Sequence, residues 1–244
     1  MIERFPQQLA GLAALSVAIV TAAFLLADGI RDIKRVEDQI EVTGSARRAI
    51  RSDFVVWRVS VNAQEATLQA AYSRLKGHAD RVRAYLSLKG IPDSVLTVKS
   101  VDVTPLQEQL SDGRETGRIL GYRLAQQFEV RSSDVDGITQ LSQEATELIN
   151  QGVELTPQAP EYLFTALAQV RVRMLAEATQ DAKARAEAIA GGVGGAIGGI
   201  RSVRVGVFQI TPRFSTEVSD YGVNDTSSLE KDVTAVVRVT FAIR

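Results

Sequence analysis

Between residues 55 and 63, Val55, Trp57, Val59, Val61 and Ala63 alternate with Arg58, Ser60 and Asn62. A period of two is that of a strand with one buried face, and it assigns Trp57 to the core. Leu68, Ala71, Tyr72, Leu75, Ala79, Val82 and Leu86 then recur at the spacing of one helix face, which Gly90 can end. Residues 95–104 read as a strand stopped by Pro105, and the polar stretch 107–117 as a hairpin loop. Leu120, Tyr122, Leu124, Gln126, Phe128 and Val130 predict a strand with one wet face. A second helix is expected over 134–150, capped by Ser132 or Ser133, buried along Ile138, Leu141, Ala145, Leu148 and Ile149, and closed by Gly152. Extended chain returns around 153–156 and 162–164.

The order over 53–164 is strand, helix, strand, strand, helix, strand, the split βαβ arrangement of ferredoxin-like domains. Right-handed crossovers put both helices on one face of an antiparallel-rich sheet, so the expected class is α+β. A long helix over 165–190 follows, with Leu167, Val170, Met174, Ala178 and Ile189 as its stripe. Strands over 200–210 and 232–243 come last, the second with Val233, Ala235, Val237, Val239, Phe241 and Ile243 on one face. Both strands are expected to extend the same sheet, which makes one domain with an appendage.

The amino terminus departs from this pattern. Residues 9–27 carry no charge, and nineteen residues rise roughly 28 Å as a helix, close to the hydrocarbon thickness of a bilayer. The tract is a transmembrane anchor or a signal peptide, with Leu9, Leu12, Val17, Ile19, Phe24 and Leu26 as its membrane-facing residues. A cleaved signal needs a shorter apolar core and small residues before the cut, whereas the tract runs on through Phe24, Leu25 and Leu26. Arg4 precedes it and Arg31, Lys34 and Arg35 follow, a bias that by itself would keep the large domain cytoplasmic. The expected division is a flank at 1–8, the anchor or signal at 9–27, a linker at 28–38 and a folded domain at 39–244.

Composition removes several chemistries. With 28 basic and 29 acidic residues the net charge is −1, so nothing advertises nucleic-acid binding. There is no cysteine and one histidine, His78, which excludes disulfide scaffolds, thiol nucleophiles, iron–sulfur clusters and the usual zinc sites. His78, at the edge of the first helix's stripe, reads as a surface residue. The glycines of 191–199 lack the preceding strand, the following helix and the Gly-Lys-Ser/Thr ending of a phosphate loop. Gly191, Gly195 and Gly199 recur every fourth residue and are either a close-packing assembly face on a helical tail or a flexible helix end. Asp181 and Arg185 are spaced as an intrahelical pair. In the polar loop 211–231, Phe214 and Tyr221 suggest a contact surface; Asp220, Asn224 and Asp225 do not match a calcium loop. Neither a catalytic, cofactor nor metal residue is assigned.

Residues 40–46 (Ile-Glu-Val-Thr-Gly-Ser-Ala), Asp53 before a strand, Leu88-Lys89-Gly90-Ile91, Gly121-Tyr122, and Asp181-Ala182, Arg185-Ala186 and Ile189-Ala190 with glycines beyond occur in an order that resembles the SIMPL-domain family of bacterial envelope proteins, which includes a periplasmic immunogenic protein. The chain departs from that pattern at Val103-Thr104-Pro105-Leu106, where an aromatic residue is usual, and at Gly152-Val153-Glu154, where Gly-Ala-Asn is usual. The resemblance implies a non-enzymatic extracytoplasmic domain, often oligomeric, linked to envelope stress and without established catalytic residues. The expectation is a single-pass protein of the bacterial inner membrane, its main domain periplasmic, assembling as a homo-oligomer without nucleic acid. The alternatives are a periplasmic carrier of a small molecule, a hydrolase with a carboxylate site, and a ring-like channel component.

Overall fold

The computed structural model describes residues 15–24 and 38–244. Residues 15–24 are helical (α1). Strands β1 (Gln39–Arg51) and β2 (Phe54–Glu65) follow, then helix α2 (Leu68–Leu88), a 3₁₀ turn at Asp93–Val95, β3 (Leu96–Gln109) and β4 (Glu115–Ser132). Helices α3 (Val135–Glu144) and α4 (Glu147–Asn150) lead to β5 (Leu155–Pro157) and β6 (Glu161–Leu163). Helix α5 (Leu167–Gly192) and strands β7 (Ile197–Val205), β8 (Gln209–Pro212) and β9 (Glu230–Ile243) complete the chain. The fold is α+β with two antiparallel sheets, one in the order β3-β4-β2-β5 with β6 also on β2, the other β1-β9-β7 with β8 on β9.

Two compact units result. One takes the described part of Met1–Ala46 with Arg173–Val207 and Ala235–Arg244; the other takes Arg47–Val172 and Phe208–Thr234. The larger is built on the alternation of β2. Its register against β4 pairs Trp57 with Val130, Val59 with Phe128 and Ala63 with Leu124, so their side chains share a face. That face is covered by the buried sides of α2 (Ala71, Leu75, Ala79, Val82, Leu86) and α3 (Ile138, Leu141). Gly90 and Gly152 end the helices where their positions in the sequence suggest.

Several expectations are corrected. Leu68 and Tyr72 are exposed, while His78 is buried with Nδ1 2.9 Å from the Asn62 carbonyl. A carbonyl only accepts, so Nδ1 carries the proton and the imidazole ties α2 to β2. The cap of α3 is Asp134, whose side chain accepts from Gly137 N–H; Ser132 and Ser133 lie too early. The second helix breaks at Ala145–Thr146 into α3 and α4, and Ile149 is exposed. Pro105 does not stop β3, because an edge strand tolerates a residue without N–H and pairing resumes with Tyr122 and Gly121. Only residues 110–114 separate β3 from β4, so most of the expected hairpin loop is strand.

The largest correction concerns the carboxyl-terminal strands. They do not extend the first sheet. Its β5–β6 edge comes three residues at a time, interrupted at 158–160 where Pro160 has no donor. The 14-residue β9 pairs instead with β7 and β8 and lies next to β1. Strand β1 was not expected at all, yet Val42, Gly44 and Ile50 are inward and Glu41, Thr43 and Ser45 outward, a readable period of two.

In the smaller unit the buried face of α5 is Met174, Ala178, Ala182, Ala186 and Ala190, and Ile189 is exposed. Small side chains let a backbone approach closely, and Gly44 of β1 sits against Ala178 and Ala182. Of the expected anchor residues, Val17, Ile19 and Phe24 lie exposed on α1, while Leu9, Leu12 and Leu26 lie outside the described residues. Among the described residues no helix is long and apolar enough to cross a membrane.

Candidate functional site

The alternation of β9 places Lys231 in the inward row that continues through Val233. It is therefore buried, 2% exposed, at a position where the strand demands an inward side chain. Its Nζ donates to the carbonyls of Tyr162 on β6 at 2.7 Å and of Asp225 at 2.5 Å. The 213–229 loop is held there by backbone: Ile210 N–H donates to Val223 and Asp225 N–H to Ile210. The Asp225 carboxylate accepts from Ser227 N–H, Ser227 Oγ and Ser228 N–H. Burial pushes that carboxyl up, but the Ser227 and Ser228 hydrogen bonds and the Lys231 charge bring it below the ordinary aspartate value. Burial lowers the Lys231 pKa, with the Asp225 charge opposing.

Beside Lys231 lies a cavity of about 320 Å³, lined mainly by Leu163, Phe164, Leu167 and Ile210, with Asn224 and Thr226 as polar members. Thr165, at its rim, is fixed by Asp53, whose carboxylate accepts from Thr165 N–H at 2.7 Å and Thr165 Oγ1 at 2.8 Å. Asp53 thus ties the chain entering β2 to the chain entering α5. An ammonium beside an apolar hollow, with no carboxylate at ion-pairing distance among the described residues, can hold an anion.

A second charged cluster lies across β2, β4 and β6. Glu129 is buried and accepts from Arg58 Nε at 2.8 Å and Arg131 Nε at 2.6 Å, while Arg58 also reaches Glu161 at 2.6 Å. The Arg58 hydrogen bond, ahead of that from Arg131, holds the Glu129 carboxyl below the usual glutamate value against the cost of burial. A general acid at neutral pH needs a raised pKa, so this cluster braces the sheet. Because the folded value lies below that of the unfolded chain, Glu129 adds stability that is present above about pH 4.3, the unfolded value, and is lost as pH falls through the lowered one. Glu129→Gln is expected to cost about 1.5–3 kcal/mol at pH 7 and to flatten the acid limb of urea-unfolding stability measured from pH 6 down to about pH 2. An unchanged acid limb refutes this role.

The other candidate residues are distributed over the fold. Asp181 Oδ2 meets Arg185 at 2.9 Å one turn on and accepts from Ser45 N–H at 2.8 Å, which clips β1 to α5. The Ser45 bond, then Arg185, lowers the Asp181 pKa. Gly191, Gly195 and Gly199 do not share a helix face. Gly194, at φ +78°, ends α5: its N–H donates to Gly191 and that of Gly195 to Ala190, closing the helix before β7. Phe214 and Tyr221 are both exposed, Phe214 at φ +63° with the Arg213 guanidinium 4.8 Å from its ring centre. Lys231 itself was overlooked. Its signal was a lysine in the odd-numbered apolar row of the strongest alternation in the chain.

Among the described residues no group of three histidine, cysteine, aspartate or glutamate side chains could hold a metal ion. No curated protein matches this chain. The model of the SIMPL family, described as a protein of unknown function (DUF541), matches residues 40–241. That span starts at the strand carrying Gly44 and Ser45 and ends within β9, so it takes in both sheets and the Asp181 clip. The chain belongs to the SIMPL family.

Proposed function

We propose that this chain is a non-enzymatic, membrane-anchored protein of the bacterial cell envelope, its periplasmic domain working by self-assembly, with a link to envelope stress. The uncharged tract 9–27 supports the anchor, and the strand order β3-β4-β2-β5 supports a ferredoxin-like βαββαβ core extended by α5 and β7–β9.

The observation that carries assembly is the free edge of β7. Among the described residues this strand pairs only with β9, on one side, and Ile200, Val203 and Val205 stand 57%, 47% and 56% exposed along it. Soluble proteins guard such edges with charges, prolines or bulges; the bulges of β7 lie before Ser202, and the regularly paired stretch Ser202–Val205, in which Arg204 is the only charge, is left as a template for another strand. Phe214, Tyr221 and the exposed Leu110, Ile119 and Leu120 of the β3–β4 hairpin are further surfaces of the same kind.

Light scattering on the full chain in mild detergent is expected to show a particle larger than one chain. Val203→Lys with Val205→Lys is expected to raise the concentration needed for assembly by roughly tenfold or more, because two like charges must then be buried at the strand interface. A wild-type particle that stays monomeric at every concentration overturns the proposal.

A further inference from the structure

We propose that the cavity beside Lys231 binds a small organic acid, its carboxylate on the Lys231 ammonium and its short apolar tail against Leu163, Phe164, Leu167 and Ile210. This goes beyond the proposed function and is independent of assembly.

An ammonium has three donors, and Lys231 commits two of them to the Tyr162 and Asp225 carbonyls. The third has no acceptor among the described residues. A buried ammonium without an anion in contact is costly, and the one neighbouring carboxylate, Asp225, is already held by three donors from Ser227 and Ser228. The site is therefore short of one anion. The hollow next to it selects which anion: about 320 Å³ is the size of a small ligand, and its walls are mostly hydrocarbon. A free phosphate would leave that hydrocarbon unused, and a neutral amide would leave the ammonium unpaired. Burial lowers the Lys231 pKa, and a bound carboxylate would offset that shift. The two carbonyl acceptors fix the lysine in place beforehand, which limits the entropy lost on binding.

The test is a ligand-observed NMR titration of the full chain in mild detergent, each probe referenced to a detergent blank. The probes are pentanoate, its neutral counterpart pentanamide, and inorganic phosphate. Pentanoate is expected to bind saturably, with pentanamide and phosphate each weaker by roughly tenfold or more. Lys231→Met keeps much of the side-chain volume without the charge and should lose pentanoate by a similar factor. Should that variant fail to fold, as read by circular dichroism, Leu167→Phe carries the test, since it narrows the cavity and leaves the ammonium intact. It too is expected to weaken pentanoate by roughly tenfold. No saturable pentanoate binding, equal binding of pentanoate and pentanamide, binding of phosphate as tight as pentanoate, or undiminished affinity in a folded variant overturns the proposal.

Discussion

Gly44→Ala is expected to cost about 3 kcal/mol or more, and Gly44→Val to prevent the smaller unit from folding. A Cβ at residue 44 would run into the Ala178 carbonyl oxygen and the Ala182 nitrogen, and would stand 2.7 Å from Ala182 Cβ. All three atoms belong to the body of α5, so no side chain can swing away to make room. Relief requires moving β1 off the helix. That movement would break the hydrogen bond from Ser45 N–H to Asp181 and open the row of buried alanines. Gly191→Ala is the matched control: nothing lies within 4 Å of a Cβ there, and alanine is the better helix former by about 1 kcal/mol. Urea midpoints of the two variants should move in opposite directions. If Gly44→Ala unfolds at the wild-type midpoint, the close approach of β1 and α5 is wrong.

Trp57→Ala is expected to remove about 3–5 kcal/mol from the larger unit. The indole is buried in the same core as Leu75 and Phe128, opposite Val130 of β4, and its Nε1 donates to the Gln158 carbonyl at 3.1 Å. Truncation leaves a cavity that cannot collapse readily because β2 is paired on both sides, with β4 and with β5 and β6, and it leaves a carbonyl in the β5–β6 break without its donor. Trp57→Phe retains most of the packing, so its cost should be smaller, about 1–3 kcal/mol. Tyr221→Ala, at a side chain 97% exposed, should lie within about 0.5 kcal/mol of wild type. Denaturant unfolding followed by circular dichroism separates the three, and a Trp57→Ala midpoint close to that of Tyr221→Ala would remove Trp57 from the core.

These sites differ in how far the sequence discloses them. Trp57 is legible because β2 alternates strictly, and a buried strand face needs only its own neighbours two residues away to announce itself. The role of Gly44 is illegible locally. Nothing in residues 40–46 says that Ala178 and Ala182, more than 130 positions on, lie against it. The helix stripe misled for a related reason. Ile189 looks like the natural continuation from Ala178, but a β1 backbone at close range favours alanine, and Ala182, Ala186 and Ala190 took the buried row while Ile189 faces out. His78 likewise turned inward because the Asn62 carbonyl offered its imidazole an acceptor.

The candidate site divides along the same line. Lys231 stands on the row that continues as Val233 and Ala235, so its burial follows from the period of β9 alone. Its carbonyl partners and the cavity walls come from residues 162–167, 210 and 224–226, which no local pattern brings together. Asp53 was visible as part of the family resemblance, and its bond to Thr165 was not.

By itself the amino-acid sequence determined the α+β class, the inward rows of β2, of β4 from Tyr122 on and of β9 as far as Phe241 (Leu120 and Ile243, at the ends of their rows, are exposed), the helix ends at Gly90 and Gly152, and membership of the SIMPL family, because each depends on spacings of a few residues or on an ordered series of short motifs. Only the tertiary structure decided that the last strands form a second sheet with β1, that alanines and not Ile189 make the buried face of α5, and that a lysine meets an apolar hollow. Those outcomes turn on which distant segments compete for the same edge, face or donor, and such competition leaves no period in the chain.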